Sequence, residues 1–437
     1  MTLLEILRNQ TFWMMDRLKG GLVFQGLNIL ERIEGGRLTE EEVAVYQQEQ
    51  IEKLLRHCRQ TVPAYKDIKD IDLKAWPIVN KAILKEGGVA YHSIIFNKND
   101  LFTMATSGST GTPFISYQDL GKKKHVNAEV LFYNGKIDYK IGKRIIYFRS
   151  VVNEVAKSPL QQFMQNIYLL DCQDLSDSGI VQKLRKIKKL STGCGAMILS
   201  YSSTLDAFRK YFDKYGLKEA EGCNIYGIVA GSEMLHDVTR IAMEKAFNCK
   251  CVSRYANEEN GFIGQDSVQP NIFIHNRANY FIEILKLTVD EPAAIGETGR
   301  VIITDLYNYA MPMVRYDTGD VGAWYEVVEN GVKRKAIGSF GGRIVDMIFD
   351  CNGNLVSPHS ITNKMWKVQN IKQFQFIQKT KTSFLMRINT ENSIDEVSLL
   401  NVLHSIVGEN AEIKIEYCHE IPVLASGKRR YIVNEMR

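Results

Sequence analysis

The sequence lacks a framework of paired cysteines. Its 8 cysteines are scattered over 437 residues. Cys249 and Cys251 form the one close pair, and a C-x-C without a matching second pair is a weak metal signal. We therefore expect buried free thiols in a reducing compartment, which places the protein in the cytoplasm.

Long apolar runs and a strong charge of one sign are also missing. Glu5, Arg8 and Asp16 interrupt the first apolar stretch, so no signal peptide is expected. No run approaches the roughly 20 apolar residues that a membrane span needs. The net charge of +5 is mild for this length. We expect neither a nucleic acid nor a membrane as a partner.

The Walker A phosphate loop is absent as well, because G-x-x-x-x-G-K-[ST] occurs nowhere. A different loop is present at 106–113, which reads TSGSTGTP. Glycines let the backbone approach a ligand, and exposed N–H groups and hydroxyls can then surround phosphate oxygens. Leu101, Phe102 and Met104 precede the loop, which suggests that it leaves a strand. A Ser/Gly-rich turn or linker is the alternative reading.

The pattern along the chain indicates an α/β protein. Residues 1–60 show helical spacing, with Thr39 and Glu42 as a capping box. Strands and helices alternate over 145–255, which predicts a mostly parallel sheet whose ligands bind beyond the carboxyl ends of the strands. Short strands over 273–325 predict an antiparallel or barrel-like subdomain.

Residues after 342 read as a compact α+β unit of typical domain size. We expect a large N-terminal domain at 1–341 and a small, mobile C-terminal domain at 342–437, with a hinge near 342–346.

Two lysine-rich stretches have ordinary explanations. Lys122, Lys123 and Lys124 are expected on the solvated face of a helix. The basic helix around 176–189 carries an amphipathic apolar stripe, so we expect it to dock on the sheet, although contact with a nucleic acid or an acidic carrier is the alternative.

Three further positions are suggestive but ambiguous when each is taken alone. Asp320 follows a glycine turn, Arg343 opens the C-terminal unit, and Lys428 lies in a Ser-Gly-Lys turn. Turns and surfaces collect such residues without any function.

Taken in order, these elements resemble the adenylate-forming (acyl-activating) superfamily, which includes acyl–coenzyme A ligases and peptide-synthetase adenylation domains. Six stretches carry the resemblance: 106–113, Val229-Ala230-Gly231-Ser232-Glu233, Tyr255-Ala256-Asn257-Glu258-Glu259-Asn260-Gly261, Tyr316-Asp317-Thr318-Gly319-Asp320, Gly342-Arg343-Ile344-Val345-Asp346 and Ser426-Gly427-Lys428.

Within the superfamily, the details resemble the phenylacetate–coenzyme A ligase branch, with its capsule-locus and deazaflavin-adenylating relatives. These details are the chain length, His57-Cys58, Val62-Pro63-Ala64-Tyr65, Trp76-Pro77-Ile78-Val79-Asn80-Lys81, and Gly342-Arg343 followed by Asp346-Met347-Ile348 and Gly353.

The resemblance implies a role for each matching residue. The phosphate-holding set would be Thr106, Ser107, Gly108, Ser109, Thr110 and Gly111. Nucleotide contacts would also come from Ser232, Glu233, Tyr255, Asn257, Glu258, Asp320 and Arg343. Tyr255 would stack on adenine, and Asp320 would accept hydrogen bonds from both ribose hydroxyls. Glu259 would hold Mg²⁺. Lys428 would bridge the attacking carboxylate and the α-phosphate, and it would join Glu259 and Thr106 as the catalytic residues.

Four positions depart from the family pattern. Asp317 replaces an arginine, Val345 replaces a charged hinge residue, and Glu258 replaces a hydroxyl. Gln265 stands where a cysteine is expected in a metal cluster, and only His275 remains nearby, so no structural zinc is expected.

The implied function is an ATP- and Mg²⁺-dependent ligase that forms an acyl-adenylate and passes the acyl group to coenzyme A or another thiol. Transfer to an amine or hydroxyl, or a degenerate nucleotide-binding module, are the alternatives. The acyl pocket is expected near 147–150, 200–203 and 228–231. The carboxylic acid partner, its acceptor and the oligomeric state, including a homodimer, stay open.

Overall fold

The computed structural model describes residues 1–106, 114–149, 157–172, 174–329, 331–338, 348–356, 361, 364–365, 368, 370–390, 392–421 and 431–436. The hinge region at 342–346 and Lys428 therefore lie outside the described residues.

Three helices open the chain, as the helical spacing predicts: α1 (Leu3–Leu18), α2 (Leu22–Ile33) and α3 (Glu40–Thr61). The capping box at the start of α3 is confirmed, because the Thr39 side chain accepts from the Glu42 N–H and the Glu42 side chain accepts from the Thr39 N–H. In the part of the chain that the structure describes, no helix is both long and apolar enough to cross a membrane.

The remaining helices are α4 (Lys81–Gly87), α5 (Leu120–Gly135), α6 (Pro159–Gln165), α7 (Asp177–Ser191), α8 (Ser202–Tyr215), α9 (Asp237–Phe247) and α10 (Glu396–Val407). The strands of the first 340 residues are β1 (Phe102–Thr106), β2 (Phe114–Gln118), β3 (Arg144–Arg149), β4 (Ile167–Asp171), β5 (Ala196–Tyr201), β6 (Ile225–Gly231), β7 (Cys251–Asn257), β8 (Gly261–Gln269), β9 (Ile272–His275), β10 (Tyr280–Leu285), β11 (Gly299–Asp305), β12 (Tyr316–Glu329) and β13 (Val332–Gly338).

The alternation over 145–255 does form parallel pairs, in the order β4-β3-β5-β6-β7. Neighbouring residues of each strand point to opposite faces, so Ile146 packs under the helices α7, α8 and α9 while Ile145 packs in a separate core on the other face. This two-sided burial explains why the strands are nearly continuous apolar runs. The basic helix α7 docks through its apolar stripe, as expected.

The separate β subdomain that the sequence suggests is a continuation of the same sheet. Among the described strands, one sheet runs β10-β11-β12-β13-β9-β8-β7-β6-β5-β3-β4, and every pair from β7 to β10 is antiparallel. The expectation of mostly parallel sheets is therefore wrong for this domain, whose large sheet is mixed.

The antiparallel part of this sheet is strongly curled. β7 and β12 are four places apart, which would separate them by about 19 Å in a flat sheet. Yet the Tyr255 hydroxyl on β7 lies 2.9 Å from Asp320 Oδ2 on β12. The curl wraps a small core around Ile263, Tyr280 and Val301, and it brings distant strands to one place.

The C-terminal residues form an α+β unit with its own core. Its strands are β14 (Ile348–Phe349), β15 (Leu355–Val356), β16 (Ile371–Gln378), β17 (Ser383–Thr390), β18 (Glu412–Tyr417) and β19 (Ile432–Asn434). Four of them form a sheet in the order β18-β17-β16-β19, on which α10 packs through Leu399 and Leu403. The domain boundary at 341/342 stays a prediction.

Candidate active site

The turn between β7 and β8 lies where the sheet changes from parallel to antiparallel pairing. Asn257 Oδ1 accepts a hydrogen bond of 2.7 Å from the Asn260 N–H, which closes the turn. Gly261 ends it with a φ of +122°, and a Cβ there would lie 2.7 Å from Glu129 Oε2. Only glycine fits this position, so the turn that carries Glu259 has one tightly defined path.

A buried polar network supports the turn from below. Glu129 Oε2 accepts from the Phe262 N–H at 2.8 Å, and the Tyr280 hydroxyl lies 2.7 Å from the Asn260 carbonyl oxygen. Lys122 Nζ lies 2.9 Å from that hydroxyl and 2.7 Å from Asp305 Oδ2. Burial raises the pKa of the Glu129 and Asp305 carboxyls, and the nearby Lys122 cation opposes the rise.

The expectation that Lys122 belongs to a solvated face is therefore wrong. Its side chain is fully buried in α5. Lysine-rich runs are usually solvated, and Asp305, whose carboxylate pairs with Lys122, lies far away in the sequence, so the local pattern could not reveal this pair.

Glu259 is buried and paired with a lysine that the sequence analysis did not assign to the site. Lys81 Nζ lies 2.5 Å from Glu259 Oε1, and the Tyr316 hydroxyl donates to the same oxygen at 3.1 Å. Lys81 is the first residue of α4, after the N-cap Asn80. Val79 forms a parallel bridge with Tyr316 just before it. That bridge sets the lysine beside the carboxylate.

Tyr255 and Asp320 form a second contact at the same place. Asp320 lies in a bulge of β12, since Asp317 pairs opposite Ile302 and Val321 opposite Arg300. Gly319 has a φ of +77° in the bulge. The Asp317 side chain accepts from the Gly319 N–H, and the Thr318 hydroxyl accepts from the Asp320 N–H. The bulge turns Asp320 toward Tyr255, whose pKa is raised by burial and by this carboxylate.

The glycine-rich loop begins and ends beside this cluster. β1 and β2 form an antiparallel hairpin in which Thr106 faces Phe114, and this confirms that the loop leaves a strand. Phe114 packs against Val79 and Tyr316, and Lys81 Nζ lies 6.0 Å from its ring centroid. Ser107, Gly108, Ser109, Thr110 and Gly111 themselves lie outside the described residues, as does the Thr106 side chain.

Three other predicted residues have different local surroundings. Glu233 Oε2 accepts from the Ser203 N–H at 2.9 Å, near the start of α8, so this carboxylate stabilises a helix N-terminus. Ser232 is exposed and has a φ of +67°, and Glu258 is exposed in the 257–261 turn. Arg343 and Lys428 lie outside the described residues. The structure thus brings Tyr255, Asn257, Glu259 and Asp320 together.

Comparison with known proteins places this arrangement in a known fold. The crystal structure of 2-hydroxyisobutyryl-CoA ligase in the postadenylation state, in complex with R3-HIB-AMP, superposes with a TM-score of 0.69 at 11% identity, over 89% of each chain. The amide bond synthetase McbA from Marinactinospora thermotolerans gives a TM-score of 0.54 at 13% identity, over 76% of this chain and 68% of its own.

The chain has the adenylate-forming ligase fold.

Sequence comparison adds a relative that covers most of the chain. Protein CapK of Staphylococcus aureus is 22% identical over 357 residues, which cover 78% of this chain and 76% of CapK. Residues 348–435 match the CapK C-terminal domain family. The resemblance to adenylate-forming ligases with capsule-locus relatives, first seen in the motifs, is confirmed.

The two residues at the expected metal-cluster position, Gln265 and His275, are both buried. Gln265 is buried, and its Nε2 donates to the Tyr133 carbonyl at 3.1 Å. Burial lowers the pKa of His275 to about 3. Within the described ranges, no group of three His, Cys, Asp or Glu side chains is placed to hold a metal ion. The absence of structural zinc stays a prediction.

Two arginines lie where the acyl pocket is expected: Arg149 ends β3, and Arg254 lies within β7 beside Gly231, the last residue of β6. The Arg149 guanidinium lies 5.7 Å from the Tyr147 ring centroid. A Cβ on Gly231 would lie 3.5 Å from Arg254 Nη2, and burial lowers the pKa of Arg254. Among the described residues, neither guanidinium forms an ion pair. The sequence analysis missed both, although Arg254 directly precedes Tyr255.

Proposed function

We propose that this protein is an ATP-dependent carboxylate-activating ligase. It forms an acyl-adenylate with release of pyrophosphate and then transfers the acyl group to coenzyme A or another thiol. One observation carries the proposal: the flanks of the glycine-rich loop, the Lys81–Glu259 pair and the Tyr255–Asp320 pair meet at one point of an adenylate-forming fold.

The reaction joins two anions, so the site must supply positive charge and hold the reactants in line. Lys81 provides a cation next to the loop that would hold the phosphates. Tyr255 fixes the Asp320 carboxylate, which would accept hydrogen bonds from the ribose hydroxyls. Lys428 would add a mobile point charge at the carboxylate and the α-phosphate.

Glu259 fits a magnesium ligand. It is a buried carboxylate beside the loop, and both of its described side-chain contacts use Oε1, which leaves Oε2 on the other side of the group. Mg²⁺ prefers oxygen ligands of this kind, and when bound it would neutralise charge on the phosphates of ATP. The Lys81 ammonium would share the same carboxylate.

The nature of the acceptor is a separate question with two candidates. Both a coenzyme A ligase and an amide bond synthetase share this fold. The likeness to an amide bond synthetase is the reason to test the second candidate, transfer to an amine or hydroxyl. A degenerate nucleotide-binding module is disfavoured, because Glu259 is retained, buried and paired.

Pyrophosphate release from ATP and Mg²⁺ is the measurement that tests the proposal. It is followed over a panel of aryl, fatty, amino and hydroxy acids, with and without coenzyme A. Because Arg149 and Arg254 lie at the expected acyl pocket, the panel should include acids that carry a second carboxylate or a phosphate. Acid-dependent release is the expected result, and faster AMP formation with coenzyme A would choose the thioester.

The absence of release with any acid, despite measurable ATP binding, would contradict the proposal and favour the degenerate module. Acid-dependent release without any thioester product, but with acylation of an added amine or sugar, would select the alternative acceptor.

The Lys428→Ala variant tests the assigned catalytic lysine. We expect a loss of adenylation of at least about a hundredfold, because the charge that bridges the two anions is gone. ATP binding, measured by calorimetry, should remain. An unchanged adenylation rate would remove Lys428 from the mechanism.

A further inference from the structure

The first helix packs Phe12 and Trp13 against the protein, but elsewhere its polarity is reversed relative to an ordinary surface helix. Its two carboxylates are buried: Glu5 Oε2 accepts from the Thr2 N–H, and Asp16 accepts from the Val23 and Phe24 N–H groups. Its leucines point outward, and Leu3 and Leu18 are each 74% exposed. A docked helix normally places its apolar side on the protein.

Six exposed apolar residues share one side of the helix, with the exposed Thr11 among them, while Ile6, also exposed, lies outside this group. At 100° per residue, the six form a stripe that covers about a third of the helix circumference. The stripe consists of Leu3, Leu4, Leu7, Met14, Met15 and Leu18, all of them exposed. Asn9 lies on the opposite side, where its Nδ2 donates to the Ile141 carbonyl and ties the helix to the protein.

A second exposed apolar group lies next to the stripe. Arg8 Nη2 donates to the Phe163 carbonyl at 2.8 Å, which joins α1 to α6. On α6, Leu160, Phe163 and Met164 are exposed. We call these three residues and the α1 stripe together the apolar face. A patch of this kind on a folded protein usually marks a contact surface.

The accessible charges of α1 and its C-cap have one sign. With Glu5 and Asp16 buried, these charges are Arg8, Arg17 and the C-cap Lys19. Arg8 and Lys19 flank one side of the stripe, and Arg17 flanks the other. Residues 159–165 of α6 carry no charge, and Lys157 precedes them. An apolar stripe with cations on both sides matches a helix that lies in the headgroup region of an anionic bilayer.

We propose that the apolar face docks this protein, as a peripheral protein, on an anionic lipid surface. The leucines and methionines would enter the headgroup boundary, and the flanking cations would contact lipid phosphates. A second copy of the chain suits the face less well, because a twofold contact would bring the flanking cations of both copies together. This inference departs from the expectation of no membrane partner, and it does not depend on the proposed enzymatic activity.

Vesicle co-sedimentation of the full chain tests the proposal. Vesicles of phosphatidylcholine alone are compared with vesicles of phosphatidylcholine and phosphatidylglycerol in equal parts. We expect binding to the anionic vesicles that weakens with added salt. The Leu7→Gln/Leu18→Gln double variant should bind about tenfold more weakly or worse. The Arg17→Gln/Lys19→Gln variant should lose roughly fivefold per charge, and only on the anionic vesicles.

A matched control changes exposed apolar residues elsewhere. Ile241 on α9 and Val397 on α10 are 62% and 70% exposed, so Ile241→Gln/Val397→Gln should bind vesicles like the unchanged protein. Circular dichroism confirms that each variant is folded.

Three outcomes would overturn the proposal. The first is no binding to anionic vesicles even at low salt. The second is binding that the leucine substitutions leave unchanged. The third is a dimer, seen by sedimentation equilibrium, that Leu7→Gln/Leu18→Gln dissociates, because the apolar face would then belong to a second copy.

Discussion

At the scale of single residues, the site depends on pairs that hold each other in place. Tyr255 and Asp320 come from strands that are four places apart in the sheet, and one hydrogen bond of 2.9 Å joins them. Lys81 and Glu259 are joined in the same way at 2.5 Å. Each pair fixes a side chain that would otherwise have several rotamers, so the site is formed before any ligand arrives.

The Tyr255→Phe variant tests the first pair. It removes only the hydroxyl that donates to Asp320, so the ring stays while the carboxylate loses its orientation. We expect the KM for ATP to rise about tenfold, the usual effect of one lost hydrogen bond to a charged group. Steady-state pyrophosphate release measures it. Tyr226→Phe is the control, because its hydroxyl donates to the Arg144 carbonyl away from the cluster. Equal KM values for ATP in both variants would contradict the assignment.

His275 gives a pH prediction. Burial and the nearby Arg277 lower its pKa from the usual value near 6.5 to about 3. Between these values the unfolded chain binds a proton that the folded protein does not. The folded state therefore loses stability as the pH falls through this range, by up to about 1.4 kcal/mol per pH unit. Above pH 6.5 this group contributes no pH dependence.

Urea unfolding at several pH values, with the His275→Gln variant beside the unchanged protein, measures this contribution. The difference in unfolding free energy between the two should shrink as the pH falls below 6.5, because only the unchanged protein carries the imidazole. A difference that stays constant with pH would show that His275 does not cause the slope.

At the scale of elements, the buried network under the β7–β8 turn combines one cation with two carboxylates. Lys122 lies on α5, Asp305 ends β11, and Glu129 is two turns further along α5. The network ties the helix to β11 through Asp305 and to β8 through the Phe262 N–H, so it joins both ends of the curled part of the sheet. Its members are fully buried, so each depends on the others for compensation of its charge.

The Lys122→Met variant should therefore destabilise the protein by about 3–5 kcal/mol, because it leaves buried carboxylates without their cation. Lys123→Met is the matched control one position along. Lys123 Nζ lies 3.8 Å from Met104 Sδ at a partly exposed position, so we expect a change within about 0.5 kcal/mol. Urea unfolding measures both. Adding Asp305→Asn to Lys122→Met should restore part of the loss, and no restoration would argue against a stranded charge as the cause.

Elements that depend on nearby residues could be predicted from the sequence. The α3 capping box and the strand before the glycine-rich loop follow from local patterns and were found where expected. Lys81 and Lys122 could not be predicted, because their carboxylate partners come from distant segments that only the folded sheet brings near. The continuity of the mixed sheet was missed for the same reason, since strand periodicity does not show which strands pair.

At the scale of the whole molecule, the C-terminal unit has a hydrophobic core of its own. Phe376, Phe384 and Met386 on its central strands pack with α10. The segment that matches the CapK C-terminal domain covers the same residues. A separate core and a family match of this length are typical of a domain that can fold alone.

We expect residues 348–437, expressed alone, to unfold in one cooperative transition in urea. Phe384→Ala in this fragment should cost about 3–5 kcal/mol, since it opens a cavity in the core. Circular dichroism follows both unfolding curves. A fragment without cooperative unfolding would show that this unit needs the rest of the chain.

The change of pairing at the β7–β8 turn has a consequence for how such proteins can be recombined. The parallel half supplies Tyr255 and the strand β7 that leads to Glu259. The antiparallel half supplies Asp320 and Tyr316. A chimera that joins halves of two relatives at this turn would inherit half of each hydrogen-bonded pair from a different parent. Crossovers that keep residues 255–320 from one parent should therefore preserve the Tyr255–Asp320 and Tyr316–Glu259 hydrogen bonds, whereas a crossover at the turn would divide them between two parents.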